Sequence, residues 1–244
     1  RIFDAPVVAS SADPQQTFLK LLGAAHLDTG FTRRVSNIRN RGDAAKVNLV
    51  LDGLPQFTGL TRDDLGARLV VAPSIQEIEL AFNNAKYGAF SDRPALEIVI
   101  PGVMDPGVSR NDRQVVSVVA QYAPYALKGG WSDDAKQAFT ERVMAQLESY
   151  APGIRHRVVH SQTLTPVDLE TRFGATGGHW HHLEMQLDQM LMMRPAPGME
   201  RYALPVEGLY LCGASTHPGG DVTGVPGCNA ARASLSNKLG RVAA

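Results

Sequence analysis

Apolar positions along this chain fall into short runs and helically spaced sets, separated by turn-forming residues. Lys46 to Leu51 alternates as a strand does, and Asp52-Gly53-Leu54-Pro55 ends it in a turn. Leu96 to Ile100 predicts another strand, and Val115 to Tyr125 a third, with Pro124 marking an edge or an end. Ala5 to Ala9 reads as a short strand closed by Ser10-Ser11-Ala12-Asp13-Pro14. Ile154 to Leu164 reads as a longer one, and Leu209 to Cys212 as the last.

Between them lie helical patterns. Gln15 to Leu22 places Phe18, Leu19, Leu21 and Leu22 on one face and stops at Gly23. Ser74 and Glu77 form a capping box for a helix whose apolar side is Ile75, Ile78, Leu80 and Phe82. Ser132-Asp133-Asp134 caps an amphipathic helix to about Tyr150, with Phe139, Val143, Leu147 and Tyr150 at helical spacing and Pro152-Gly153 as its stop. Thr165 to Glu170 starts a short helix with Pro166 in its first turn, and Thr223 to Arg241 reads as the final helix. This order lacks regular βα alternation. It predicts an α/β to α+β fold: a mixed or antiparallel sheet covered by helices, inserted into pieces of a second layer.

Composition narrows the function classes. The 244 residues, 44% hydrophobic, can fill one large or two small domains. Lys plus Arg and Asp plus Glu both number 24, so no net field draws in nucleic acid or an anionic membrane. Cys212 and Cys228 make neither a disulfide framework nor a zinc site, and a reducing, cytoplasmic setting is the expectation. No apolar run approaches the ~18 residues of a membrane span, and no signal pattern opens the chain, so it is expected to be soluble. It begins Arg1-Ile2-Phe3, which is read as a fragment or a processed product.

The candidate chemistry lies after the last strand. A loop with Gly213, Gly219 and Gly220 leads into the final helix, which brings backbone N–H groups and a positive helix end up to an anionic or electron-rich ligand. An ordinary glycine-rich turn is the plainer alternative. The string Gly208-Leu209-Tyr210-Leu211-Cys212-Gly213, then His217-Pro218-Gly219-Gly220, Gly224-Val225-Pro226-Gly227 and Asn229-Ala230-Ala231 resembles the C-terminal flavin-binding motif of the phytoene desaturase-like FAD-dependent oxidoreductases, within the flavin amine oxidase superfamily.

That resemblance implies FAD as cofactor. It assigns 1–26 and 166–244 to the C-terminal part of a Rossmann-like FAD-binding domain, and 27–165 to a substrate-binding domain. Gly213, Ala214 and Ser215 would lie along the ribityl and phosphate portion. Gly219 and Gly220 shape the loop, and Val222, Thr223 and Gly224 would meet the flavin ring through backbone amides. Asp221 stands where a third glycine is expected; it is either an unfavourable neighbour of a reduced flavin or a helix cap.

His217 is the candidate catalytic base, with a loop-fixing hydrogen bond as its alternative. His179, Trp180, His181 and His182 would line the substrate cavity. A strand would pair His179 with His181, and a helix His181 with Glu184, but no further ligand completes a metal shell, so no metal is expected. Met185, Met190, Met192 and Met193 with Leu183, Leu187 and Leu191 read as core packing, or as a soft surface for an apolar substrate.

A Gly-x-Gly-x-x-Gly loop with an acidic residue about 20 positions on is absent, and Gly174-Ala175-Thr176-Gly177-Gly178 follows a helix instead of a strand. The chain alone is therefore expected to bind FAD weakly or not at all. Its activity would need an N-terminal dinucleotide-binding half or subunit as partner. A sheet lacking that partner is expected to favour a homo-oligomer. A non-catalytic binding or assembly module built on the same half-fold is the rival reading.

Overall fold

The computed structural model describes residues 1–242 apart from Arg110, Glu200, Arg201, Ala203 and Asp221, with side chains as far as residue 236. In chain order the strands and α-helices are β1 (Val8–Ser10), α1 (Thr29–Ser36), β2 (Ala44–Asp52), β3 (Leu69–Val71), α2 (Ile75–Lys86), β4 (Ala95–Val99), α3 (Pro101–Met104), β5 (Arg113–Gln121), α4 (Asp133–Tyr150), α5 (Ile154–Arg157), β6 (Val158–Leu164), α6 (Pro166–Phe173), β7 (Leu209–Leu211) and α7 (Val225–Val242). A wide π-type helix, Gln16–Gly23, lies between β1 and α1. The fold is α+β, with one parallel and one antiparallel sheet. Two compact units divide the chain, one of residues 1–41 and 169–244 and the other of 42–168. Helix α1 belongs to the unit formed by the terminal segments.

The middle unit is a five-stranded sheet in the order β3-β4-β5-β2-β6, antiparallel throughout. Alternation fixes its register: Val47 faces Val118, Leu49 faces Val116, and all four are buried while Lys46, Asn48 and Val50 on the other side are not. Phe139, Val143 and Leu147 of α4 pack into that buried face, each worth about 1.5–3 kcal/mol of apolar burial. Ser132 caps α4 by accepting from the Ala135 amide at 3.2 Å. Thr165 and Asp168 cap α6 reciprocally: the Thr165 amide donates to Asp168 Oδ2 at 2.9 Å and the Asp168 amide to Thr165 Oγ1 at 3.2 Å.

Three expectations are corrected here. The run from Ile154 begins as the short helix α5, after Gly153 in a left-handed conformation (φ 81°), and becomes strand only at Val158. Ser74 caps α2 as expected, but Ile75 and Leu80 point outward and Ala81 is the buried residue. Glu77, the box's other half, pairs with Arg93 at 3.3 Å. Pro124 follows the end of β5, which runs inside the sheet between β4 and β2.

In the terminal unit, β1 and β7 pair in parallel, Val8 beside Leu209 and Ser10 beside Leu211. Phe18, Phe31, Val35, Ile38, Leu183 and Leu211 form its core, with Phe18 edge-on to Phe31 at 4.9 Å. Asp28 caps α1 through the Phe31 amide at 2.8 Å.

Candidate functional site

The parallel register carries β7 straight into the glycine loop. The Cys212 amide donates to the Ser10 carbonyl at 2.8 Å, and this brings Gly213 so close to Ser11 that a side chain would collide with the Ser11 carbonyl. Glycine is obligatory at that point. The loop then turns on itself: the Thr216 amide and hydroxyl both donate to the Gly213 carbonyl, at 3.1 and 2.9 Å. Gly219 holds φ at 117°, a conformation only glycine adopts readily. Past the loop, α7 opens at Val225 instead of Thr223, with the Val225 amide donating to Thr223 Oγ1 at 3.3 Å.

Several hydrogen-bonding groups here have no partner among the described residues. The amides of Val222, Thr223 and Gly224 are on exposed residues and donate to no described residue. Ser215 is fully buried and its hydroxyl has no partner; the same holds for the buried Nδ1 of His217. Buried polar atoms without partners are uncommon in native structures and mark positions where a ligand can satisfy them. The loop-fixing bond considered for His217 falls on its carbonyl, which accepts from the Tyr202 hydroxyl, and the imidazole is left uncommitted at Nδ1. Asp221 lies outside the described residues.

Residues 179–182 adopt neither a strand nor a helix. They form a tight turn after a 3-10 turn at Thr176–Gly178, with the His182 amide donating to the His179 carbonyl at 2.9 Å and the His181 amide to His179 Nδ1 at 3.3 Å. Asp13, itself buried, anchors this turn from the other end of the chain, accepting from the Gln16 amide at 2.9 Å and the Thr176 amide at 3.1 Å. His181 lies against Gly220, where a side chain on Gly220 would overlap its Nδ1, so the histidine turn and the glycine loop meet. Trp180 is edge-on to His181 and half-exposed.

Burial pushes the His179 imidazole down to about 4, helped by His181 and Arg194 nearby. Burial also lowers His182, against the opposing pull of Asp13. Both are neutral near pH 7. Glu184 does not join a histidine: it pairs with Arg39 at 3.5 Å and accepts from the Arg41 amide at 3.1 Å. Among the described residues no group of three or more His, Cys, Asp or Glu could hold a metal ion.

The residue that sequence reasoning missed is Arg194. It is 0% exposed, yet every hydrogen-bond partner it has among the described residues is a backbone carbonyl: Nε donates to Ala214 at 2.9 Å, one terminal nitrogen to Gln189 at 3.0 Å and Glu184 at 3.4 Å, the other to His181 at 2.6 Å and Leu183 at 3.5 Å. It therefore ties the glycine loop, the histidine turn and the methionine segment together. Burial lowers its pKa to about 10, so it remains charged at neutral pH. Its one signal in the sequence is a lone cation inside the apolar string Leu191-Met192-Met193-Arg194-Pro195-Ala196. The methionine segment itself is not core: Leu183 is buried, but Met185 is exposed, as are Leu187, Leu191, Met192 and Met193 on two 3-10 turns that follow it.

The chain that carries this glycine loop is homologous to oxidoreductases, the phytoene desaturases among them. The particular relatives include pyridine nucleotide-disulfide oxidoreductase domain-containing protein 2 of Rattus norvegicus, 38% identical over 235 residues, covering 92% of this chain and 40% of that protein. A phytoene desaturase (lycopene-forming) of Pseudescherichia vulneris is 29% identical over 242 residues, covering 96% of this chain and 46% of that protein. The resemblance read from the glycine-rich string is thereby borne out. No family model matches the chain. A crystal structure of an oxidoreductase from Methanosarcina mazei shares the fold at a TM-score of 0.50 and 17% identity, over 93% of this chain and 42% of that one. The chain spans about two fifths of the length of the curated relatives it matches. No described helix is long and apolar enough to cross a membrane.

Proposed function

We propose that this chain is the C-terminal portion of an FAD-dependent oxidoreductase that removes hydride from an apolar small molecule. In this reading the unit of residues 1–41 and 169–244 is the Rossmann-like flavin side, and residues 42–168 are the substrate domain. The observation that carries it is the set of unspent amides at Val222, Thr223 and Gly224, on the same loop as the buried, unpartnered Ser215 hydroxyl and His217 Nδ1. A flavin ring edge is rich in acceptors, and donors fixed by a glycine loop fit it without reorganisation. The flavin, when bound, supplies the redox chemistry by accepting the hydride.

The chain's own residues would do the rest. Gly213 and Gly219 let the backbone approach the cofactor, and Ala214, Ser215 and Gly220 line the ribityl side. The amides of 222–224 orient the ring. His217 offers a nitrogen that can hold a proton. His179 and His182, neutral and half-buried, contribute a wall that carries no charge at neutral pH, and Trp180 and His181 extend it, as an apolar substrate would require. The apolar substrate class is supported by those relatives that are phytoene desaturases.

A second segment is part of the proposal. Two three-residue parallel strands are too few to stand alone, and parallel strands are normally covered and flanked by others. Beside β1 lies a groove of about 560 Å³ lined by Val8, Ser10, Thr17, Leu21, Leu22 and Leu209. We assign it to the N-terminal dinucleotide-binding half, whose Gly-x-Gly-x-x-Gly loop would hold the pyrophosphate. The test is the visible flavin absorbance of this chain alone and joined to such a half. Flavin bound only by the joined form is the expected result. Stoichiometric flavin on the chain alone removes the need for the second half, and none on either form overturns the function.

A further inference from the structure

We propose that Arg194 is the positioning residue of this site and that its buried charge favours the reduced, negatively charged state of the ring held by the glycine loop. The inference rests on the flavin reading above and goes beyond it by naming the residue that sets the ring's redox balance. Among the described residues no carboxylate forms an ion pair with Arg194; carbonyl dipoles alone solvate it. A fully buried guanidinium with no counter-charge among the described residues leaves a net positive potential on its surroundings, and in a low-dielectric interior that potential extends several ångströms.

The charge sits directly under the loop. Nε contacts the Ala214 carbonyl at 2.9 Å, and the space where a Gly219 side chain would begin is 3.5 Å from Nε and Cδ. A lysine could keep the charge but not the planar fork, which serves five carbonyls from three separate segments. The two roles of Arg194, charge and geometry, are therefore separable by substitution.

The experiment uses the complete flavin-loaded enzyme, with Arg194→Met, Arg194→Gln and Arg194→Lys, and measures the midpoint potential of bound flavin and the dissociation constant for FAD. The neutral variants are expected to lower the preference for reduced over oxidised flavin at least about tenfold, about 30 mV for a two-electron couple. Lysine is expected to restore the potential while weakening FAD binding about tenfold, because the loop loses its fork. Glutamine keeps two donors and serves where the methionine variant fails to fold. Should neither neutral variant fold, the lysine variant decides: weakened FAD affinity at an unchanged midpoint potential upholds the inference, and unchanged affinity or a lowered potential overturns it. Equal potentials in wild type and a folded neutral variant overturn it while leaving the flavin function intact. A complete wild-type enzyme that holds no flavin overturns both.

Discussion

Asn229 Nδ2 donates to the hydroxyl of Tyr202 at 2.9 Å, and that hydroxyl in turn donates to the carbonyl of His217. One oxygen therefore joins α7 to the middle of the glycine loop, which gives the asparagine of the Asn229-Ala230-Ala231 string a physical task. Tyr202→Phe is expected to destabilise the protein by about 1–2 kcal/mol, and Asn229→Ala by a similar amount. The double variant should cost less than the sum, since both act on one hydroxyl. Urea midpoints of the four proteins check this, and strict additivity would refute the linkage.

Two glycines of the loop should respond differently to alanine. At Gly213 the new methyl meets the Ser11 carbonyl, part of the backbone and unable to swing aside, so a loss of about 1–3 kcal/mol is expected. At Gly224 nothing lies within 4 Å, and only the left-handed backbone (φ 70°) resists, at a cost of about 1 kcal/mol. Thermal melts of the two variants give the ranking.

His179 makes stability depend on pH with a definite sign. Its folded pKa of about 4 lies below its unfolded value near 6.5, so the unfolded chain binds the extra proton first. Stability is complete above about pH 6.5 and is lost progressively as pH falls toward about 4. His179→Asn should flatten the urea midpoint across that window relative to wild type. A slope unchanged by the substitution would show that the imidazole is not buried as described.

The Asp168 carboxyl acts in the same direction, at lower pH. Burial raises its pKa, but the bonds from Lys136 at 2.7 Å and from Thr165 outweigh burial, and the net shift is downward. Its stabilisation is present above the ordinary carboxylate range and disappears as pH falls through the lowered value. The stability gap between wild type and Asp168→Asn should therefore be widest near neutrality and shrink in acid, which denaturant titrations at several pH values would reveal.

Sequence rules succeeded where the determinant is local. Ser74, Ser132 and Thr165 each cap a helix through a residue three positions on, and that relation is legible without a fold. They failed where the determinant is distant or weak. Helix α1 carries only Phe31 and Val35 as buried apolar residues, too few to announce it, and β3 is three residues long. The outward turn of Ile75 depends on which face of α2 meets the sheet. In the site, the glycine string was visible because backbone collisions leave a compositional trace. Arg194 left almost none, since its five partners are carbonyls of residues 181–214, and a carbonyl belongs to any side chain.

The pairing of β1 with β7 makes ribosomal synthesis an uneven process for this molecule. Residues 42–168 are contiguous and can acquire their architecture while the remainder is still being translated. Val8–Ser10, made before that contiguous unit, must wait for Leu209–Leu211, and joining them closes a loop that contains the whole of it, an ordering that slows folding. Premature termination after α6 would leave the central sheet formed and strand β1 exposed as an orphan, the sort of edge that chaperones and proteases recognise.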